Sequence, residues 1–265
     1  MKALTIKKTL AVFGALVLGA SMFAQQAPPP GAPAAGRGPG GGRGRGGPPV
    51  GVLEETGFTK IFDGTMKGWD CDPDFWKAEN DIMVGETTAT HQPPQNIFCV
   101  WKGSQPADFE LKMDYRLTGA RTGNSGIQYR SAEMPEVAKW VLKGYQADID
   151  AAQQYTGQVY EERGRGFLAL RGQIVNIPNG GKTGSIGSTG DGDQLKGYVK
   201  LYDWNEIHII ARGNIITQLI NGHVTSVVID DDVANRKMSG LLGVQLHKTT
   251  GDMKMEVRNV RLKTF

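Results

Sequence analysis

An all-β jelly-roll sandwich is the fold the sequence predicts, and three observations predict it. Short runs rich in β-branched and aromatic residues recur from Phe58 to the end of the chain. Gly and Asn punctuate them at close spacing; Gly213-Asn214 and Asn221-Gly222 bracket IITQLI as two hairpin turns. Sustained helical periodicity is nearly absent, with only residues 133–142 and 231–238 reading as short helices. Two large curved sheets packed face to face leave a concave outer face, where a polar groove is expected.

The chain begins MKALTIKK, followed by the apolar run TLAVFGALVLGASMFA ending in small residues. That layout predicts a signal peptide over residues 1–24 and a periplasmic or secreted protein, with no membrane insertion beyond that segment. An uncleaved anchor is the alternative. Residues 25–49 are Pro, Gly, Ala and Arg with nothing to build a core, and read as a disordered linker. Arg37, Arg43 and Arg45 give this linker an RGG-like look, but export removes it from RNA, and no nucleic-acid partner is expected. Six of the 30 basic residues precede residue 50, where there are no acids; the rest of the chain holds 24 against 27. The domain over residues 50–265 is therefore mildly acidic, and the overall positive charge says nothing about its ligand. Cys71 and Cys99 either pair, as an oxidising compartment allows, or stay free.

Within the domain the expected strands are FTKIFD, FWKAENDIMVG, NIFCVWKG, FELKMDYRL, SGIQYRS, KGYQADID, TGQVYEE, NEIHIIARG, IITQLING, VTSVVID, GLLGVQLH and MKMEVRNVRLKTF. Residues 176–197 are too glycine-rich for a strand and read as a long surface loop. Trp69, Trp76, Trp101 and Trp204 read as core, with stacking on a sugar ring as the alternative for any one at the rim.

Alternation along these strands collects polar residues on one face. In GYQADID, Gln146, Asp148 and Asp150 project one way and Tyr145, Ala147 and Ile149 the other. Asn124, Gln128 and Arg130 share a face in NSGIQYR, as do Gln158, Tyr160 and Glu162 in GQVYEE, and Gln245 and His247 in GVQLH. Any one such set fits a solvated sheet face. Four of them, built from Arg, Asp, Glu, Tyr and His rather than Lys, Thr and Ser, point to a site floor.

Jelly-roll glycanases carry a strand motif E-x-D-x-x-E for the retaining mechanism. DIDAAQ (148–153) imitates it but ends in Gln153, which cannot act as an acid. A carboxylate from Glu161 or Glu162 on the next strand would have to substitute. Arg163 and Arg165 read as surface partners of those two acids. Asp191 and Asp193 read as a solvated turn, with structural calcium binding as the alternative.

Taken in order, GFTKIFDGTMKGW, NSGIQYR, GYQADI with YEERGRG, WNEIHIIARGNIITQLINGH and GLLGVQLH…MEVRNVRLK resemble the 3-keto-disaccharide hydrolase family over residues 56–265. In many relatives Glu stands at the position of Gln146 and Gln at that of Asp148. The resemblance implies a concanavalin A-like jelly roll acting on glycosides whose C3 hydroxyl a separate sugar 3-oxidoreductase has oxidised. A C3 ketone acidifies the C2 hydrogen, so a base can remove it, the C1 substituent can leave, and water can add, giving net hydrolysis. Such a site needs a base, an acid and a group to hold the enolate oxygen. His247 or Asp148 is the expected base and Glu162 the acid; Arg130, or a divalent metal ion held by Asp148, Glu162 and His247, would stabilise the enolate. Gln146, Tyr160, Gln128, Gln245 and Asn124 would hold sugar hydroxyls. No nicotinamide cofactor is expected. A non-catalytic carbohydrate-binding module and a conventional retaining glucanase are the alternatives.

Overall fold

The computed structural model describes residues 55–265; the expected signal peptide and linker lie outside them. In chain order the first strands are β1 (Thr59–Lys60), β2 (Trp69–Asp70), β3 (Trp76–Glu79), β4 (Ile82–Thr87), β5 (Ile97–Trp101) and β6 (Phe109–Gly119). Then come β7 (Asn124–Glu133), β8 (Leu142–Asp150), β9 (Val159–Glu162), β10 (Gly166–Ala169), β11 (Gln173–Ile177) and β12 (Gly184–Ser188). A short helix α1 (Gly192–Lys196) precedes β13 (Asn205–Arg212), β14 (Ile215–Ile220), β15 (His223–Asp230), β16 (Leu241–Leu246) and β17 (Met253–Thr264).

These strands form two sheets. One runs β12-β11-β15-β14-β13-β6-β17-β4-β3, with β1 added beside β17; the other runs β10-β9-β8-β7-β16-β5-β2. All pairings are antiparallel except β11 with β15. The sandwich core lies between the sheets. Strand β6 buries Phe109, Leu111, Met113, Tyr115 and Leu117 at every second position, and Ile127, Tyr129, Tyr145, Ala147 and Ile149 meet them from β7 and β8. Tyr129 joins the layers by accepting a 2.8 Å hydrogen bond from Gln218 Nε2 on β14. Cys71 and Cys99 are joined in a disulfide that ties the residue after β2 to β5.

The expected glycine-rich loop and short helices need correction. Residues 184–188 are the edge strand β12, which pairs only with β11. All five of its residues are exposed, so it carries none of the apolar alternation by which strands are recognised. Asp191 caps α1 by accepting from the amides of Asp193 and Gln194, which gives that acid a structural task. Residues 133–142 and 231–238 close one turn each, through Ala138 N to Met134 O and Arg236 N to Asp232 O, and go no further. A single turn has met only the unfavourable nucleation step of a helix. Trp140, with φ of +59°, then breaks the first of them.

Arg165 also departs from its expected surface pairing. Its guanidinium reaches Glu161 at 2.5 Å and the buried Asp230 of β15 at 2.6 Å, with Asp232 at 3.5 Å. The cluster thus clasps the β9–β10 turn of one sheet to the end of β15 in the other. Asp230 also accepts from Tyr145 Oη at 2.5 Å.

Candidate functional site

Strands β8, β7 and β16 lie in the middle of their sheet and are buried on both faces. The polar residues of the outer face are therefore not solvated. Gln128 and Gln245 are 0% exposed, Gln146 2% and Asp148 5%. Buried polar groups need partners, and where the protein supplies none a ligand can.

Register assembles the site. Gly243, Gln128, Gln146, Tyr160 and Phe167 align across β16, β7, β8, β9 and β10. Asp148 lies one pleat further along β8, opposite Gly126. Around these residues opens a pocket of about 240 Å³, lined by Asn96, Asn124, Gln146, Asp148, Tyr155, Tyr160, Glu162, Phe167, Gln245 and His247. Seven of the nine expected site residues line it. Gln128 and Arg130 do not.

Gln128 lies behind the floor and holds it in place. Ser131 Oγ donates to Gln128 Oε1, Gln128 Nε2 donates to Gln146 Oε1 at 3.1 Å, and Gln146 Nε2 donates to Asp148 Oδ1 at 2.6 Å. All three donors run the same way, ending on the carboxylate. Gly126 makes the last link possible: a Cβ there would sit 2.6 Å from Cγ and Cδ of Gln146. Gly126→Ala should push Gln146 off Asp148, lowering kcat/KM roughly tenfold through misplacement of the carboxylate. It should also move the ascending limb of the pH–rate profile upward, because that hydrogen bond favours the ionised carboxylate. A profile unchanged in position would remove Gln146 from the tuning of Asp148.

Arg130 is the main correction. Its Nε and Nη2 donate to Ala107 O at 2.9 and 2.7 Å, and Nη1 donates to Gly213 O at 2.7 Å and Lys237 O at 3.2 Å. Nη2 also reaches Asp108 Oδ1 at 3.2 Å. The parity argument fails because β7 shifts register on both flanks near this point, and Arg130 takes a φ of +47°. Its side chain ties loops together and does not face the pocket. Asp150 is likewise structural. Its carboxylate accepts from the amides of Gln154, Tyr155 and Thr156, shaping the loop that brings Tyr155 to the site.

The site's protonation states follow from burial. Burial raises the pKa of Asp148 to about 7, the bond from Gln146 opposes the shift, and the negative charges of Asp150 and Glu162 add to it. Burial also raises the pKa of Glu162, although Arg163 and the amides of Asn96 and Gln245 pull the other way. His247 is lowered by burial and so is neutral at neutral pH. Nδ1 of His247 and both amide atoms of Gln245 are buried without a hydrogen-bonding protein partner. Gln245 lies near enough to influence Glu162, but not in bonding geometry. Tyr155, Tyr160 and the 47% exposed Phe167 form an aromatic wall, with ring centroids 5.5 and 5.0 Å apart from that of Phe167. Among the described residues no three His, Cys, Asp or Glu side chains converge as a metal-ligand set, so Asp148, Glu162 and His247 do not fit the metal considered for them.

Asn96, Tyr155 and Phe167 escaped the sequence reading. Asn96 opens NIFCVWKG, a strand read only for its apolar face, and Tyr155 lies in a loop. Phe167 sits on β10, whose four residues carry too little pattern to be read. YEERGRGF does hold a signal, since a hairpin return at Gly164–Gly166 would have set Phe167 beside Tyr160.

A search of curated proteins gave no match. Among solved structures, a candidate glycosyl hydrolase from Parabacteroides distasonis superposes with a TM-score of 0.52 at 14% identity, covering 78% of this chain and 99% of that one. A second candidate glycosyl hydrolase from the same organism gives 0.50 at 15%, covering 79% and 94%. At such identity these likenesses concern the fold. The family described as the 3-keto-alpha-glucoside-1,2-lyase-like domain matches residues 57–263. With the match spanning nearly the whole sandwich and the polar pocket within it, the chain belongs to that glycoside-acting family.

Proposed function

We propose that the domain cleaves 3-keto-glycosides by elimination across C1 and C2, followed by hydration. The observation that carries this reading is Asp148, a 5% exposed carboxylate with a pKa of about 7 on a pocket floor, beside a second carboxyl group of raised pKa. A base tuned near the working pH is what abstraction of a carbon acid requires. Asp148 Oδ1 is held by Gln146, which leaves Oδ2 to take the C2 proton. Glu162, whose pKa burial raises, donates its proton to the glycosidic oxygen as the C1–O bond breaks. The enolate oxygen at C3 needs neutral donors in the absence of Arg130. Gln245 Nε2 and neutral His247 supply them without a countercharge that would depress the pKa of Asp148. Water then adds at C1, giving its proton to Glu162 while Asp148 returns its own to C2. Both carboxyl groups end as they began.

The retaining-glucanase reading has less support. The acid that the strand motif would need is an amide at Gln153, and Asp150 is committed to its loop. A binding module would use the aromatic wall but would have no need of a carboxylate so tuned.

The test is incubation of the protein with a 3-keto-glucoside and with its unoxidised parent, following aglycone release and the ultraviolet absorbance of a conjugated enone. Cleavage of the keto form alone, with a transient enone and no effect of chelator, is the expected result. Equal cleavage of the parent would restore the glucanase reading, and binding without cleavage of either would favour the module. We place the reaction outside the cytoplasm, where a Cys71–Cys99 disulfide persists.

A further inference from the structure

Glu162 stands at a junction. On one side it borders the sugar pocket; on the other it borders a second cavity of about 250 Å³, whose charged lining also includes Glu161, Lys143, Arg163, Arg165 and Lys237. Lys143 and Lys237 in turn border a third cavity of about 250 Å³, beside Ser131 and Gly240. The register of β8 and β9 sets this order: Asp148 at one end, Gln146 and Tyr160 next, then Glu162 opposite Gly144, with Lys143 beyond.

Cations enter the lining along this line. The sugar pocket contains Asp148 and Glu162 and is lined by no lysine or arginine. In the second cavity Arg165 is matched by Glu161, Asp230 and Asp232. The other three cations are not matched. Arg163 donates to the amide oxygen of Gln95 at 3.2 Å and Lys237 Nζ to the carbonyl of Asn235 at 2.6 Å, both neutral acceptors. Among the described residues Lys143, Arg163 and Lys237 make no ion pair with a carboxylate. A lone surface lysine needs no explanation, but three cations without an ion pair about one concavity offer three charge-assisted donors to an anion.

Resting on the function proposed above, we infer that this cavity is the leaving-group subsite and that it selects glycosides whose leaving group carries an oxyanion. The acid must touch the glycosidic oxygen, so the ring that loses its C2 proton lies on the Asp148 side of Glu162. The departing group then lies on the other side, among Lys143, Arg163 and Lys237. A carboxylate or sulfonate within one ring of the scissile oxygen would meet them there, with charge-assisted hydrogen bonds to ammonium and guanidinium donors.

The test compares 3-keto-glucosides of 4-hydroxybenzoate, 4-hydroxybenzenesulfonate and the neutral 4-hydroxybenzamide on the purified protein. The expected result is a kcat/KM about tenfold higher for the two anions, the scale of one or two charge-assisted contacts. The preference should shrink with added salt. It should collapse in Lys143→Gln/Lys237→Gln and persist in Lys67→Gln, a charge change in the exposed turn before β2. Preference for the carboxylate alone would narrow the ligand to acids of that shape. The same ratio in the wild type and the double variant would overturn the inference, since the ratio would then reflect only leaving-group reactivity. If none of the three is cleaved, calorimetry with the unoxidised benzoate and benzamide glucosides decides. Tighter benzoate binding that the double variant abolishes would keep the anionic subsite and remove the 3-keto reading; equal binding would overturn the subsite itself.

Discussion

Asp148→Asn is expected to lower kcat for a 3-keto-glycoside about a thousandfold, within the range for loss of a general base, while making the protein more stable at pH 8. The two effects have one cause. The carboxylate is buried with no countercharge, and its pKa of about 7 stands above the roughly 3.9 of an exposed aspartate. Between those values the native state binds more protons than the unfolded state, so stability falls as pH rises through that window and levels off above it. Below the window Asp148 is neutral in both states and the penalty vanishes. Asparagine still accepts the hydrogen bond from Gln146 but carries no charge, so it escapes a cost on the order of 1–4 kcal/mol at pH 8. Each 1 kcal/mol is worth about 2–4 °C in a domain of this size. Thermal melts of wild type and variant should therefore separate by several degrees at pH 8 and converge near pH 4. A variant less stable at both would mean that Asp148 is a satisfied structural group and would remove the basis for its role as base.

Much of the site floor was legible before any coordinates. Alternation in GYQADID divides Gln146 and Asp148 from Tyr145, Ala147 and Ile149, and the strand obeys it because one face must pack on Tyr129 and the sandwich core. Gln245 and His247 followed by the same logic, because β16 has one register that buries Val244 and Leu246 in the core. What periodicity misses is whatever breaks it or lies outside it. Tyr155 comes from a loop fixed by Asp150, Phe167 from a four-residue strand, and Gly126 matters only because of the Gln146 side chain on the neighbouring strand β8. The glycine-rich hairpin β11–β12 hid for a related reason: an edge strand exposed throughout has no apolar face to declare it.

Arg130 shows the failure most sharply, and it supplies a test by which stability and catalysis separate. Two-residue alternation from Asn124 and Gln128 sends Arg130 to the site, but the register shift between Tyr129 and Ala132 turns it away. Gly240 packs against this point so tightly that a Cβ on it would lie 2.5 Å from the Arg130 carbonyl carbon. With the backbone held there, the guanidinium lies 1% exposed and gathers the carbonyls of Ala107, Gly213 and Lys237 around Asp108. Those loops belong to different parts of the chain, and no other side chain replaces the donors. Arg130→Met keeps the aliphatic stem but leaves three carbonyls without their cation, and should destabilise the domain by about 3 kcal/mol, the range for breaking a buried charged network. Since the side chain lies away from the pocket, kcat per folded molecule, measured well below the melting temperature, should stay within a few-fold of wild type. Urea titration together with active-site titration of the folded fraction reads the two quantities apart. An Arg130→Met protein that melts normally but loses turnover would return the guanidinium to the enolate oxygen. It would also require the β7 bulge to reverse when substrate binds.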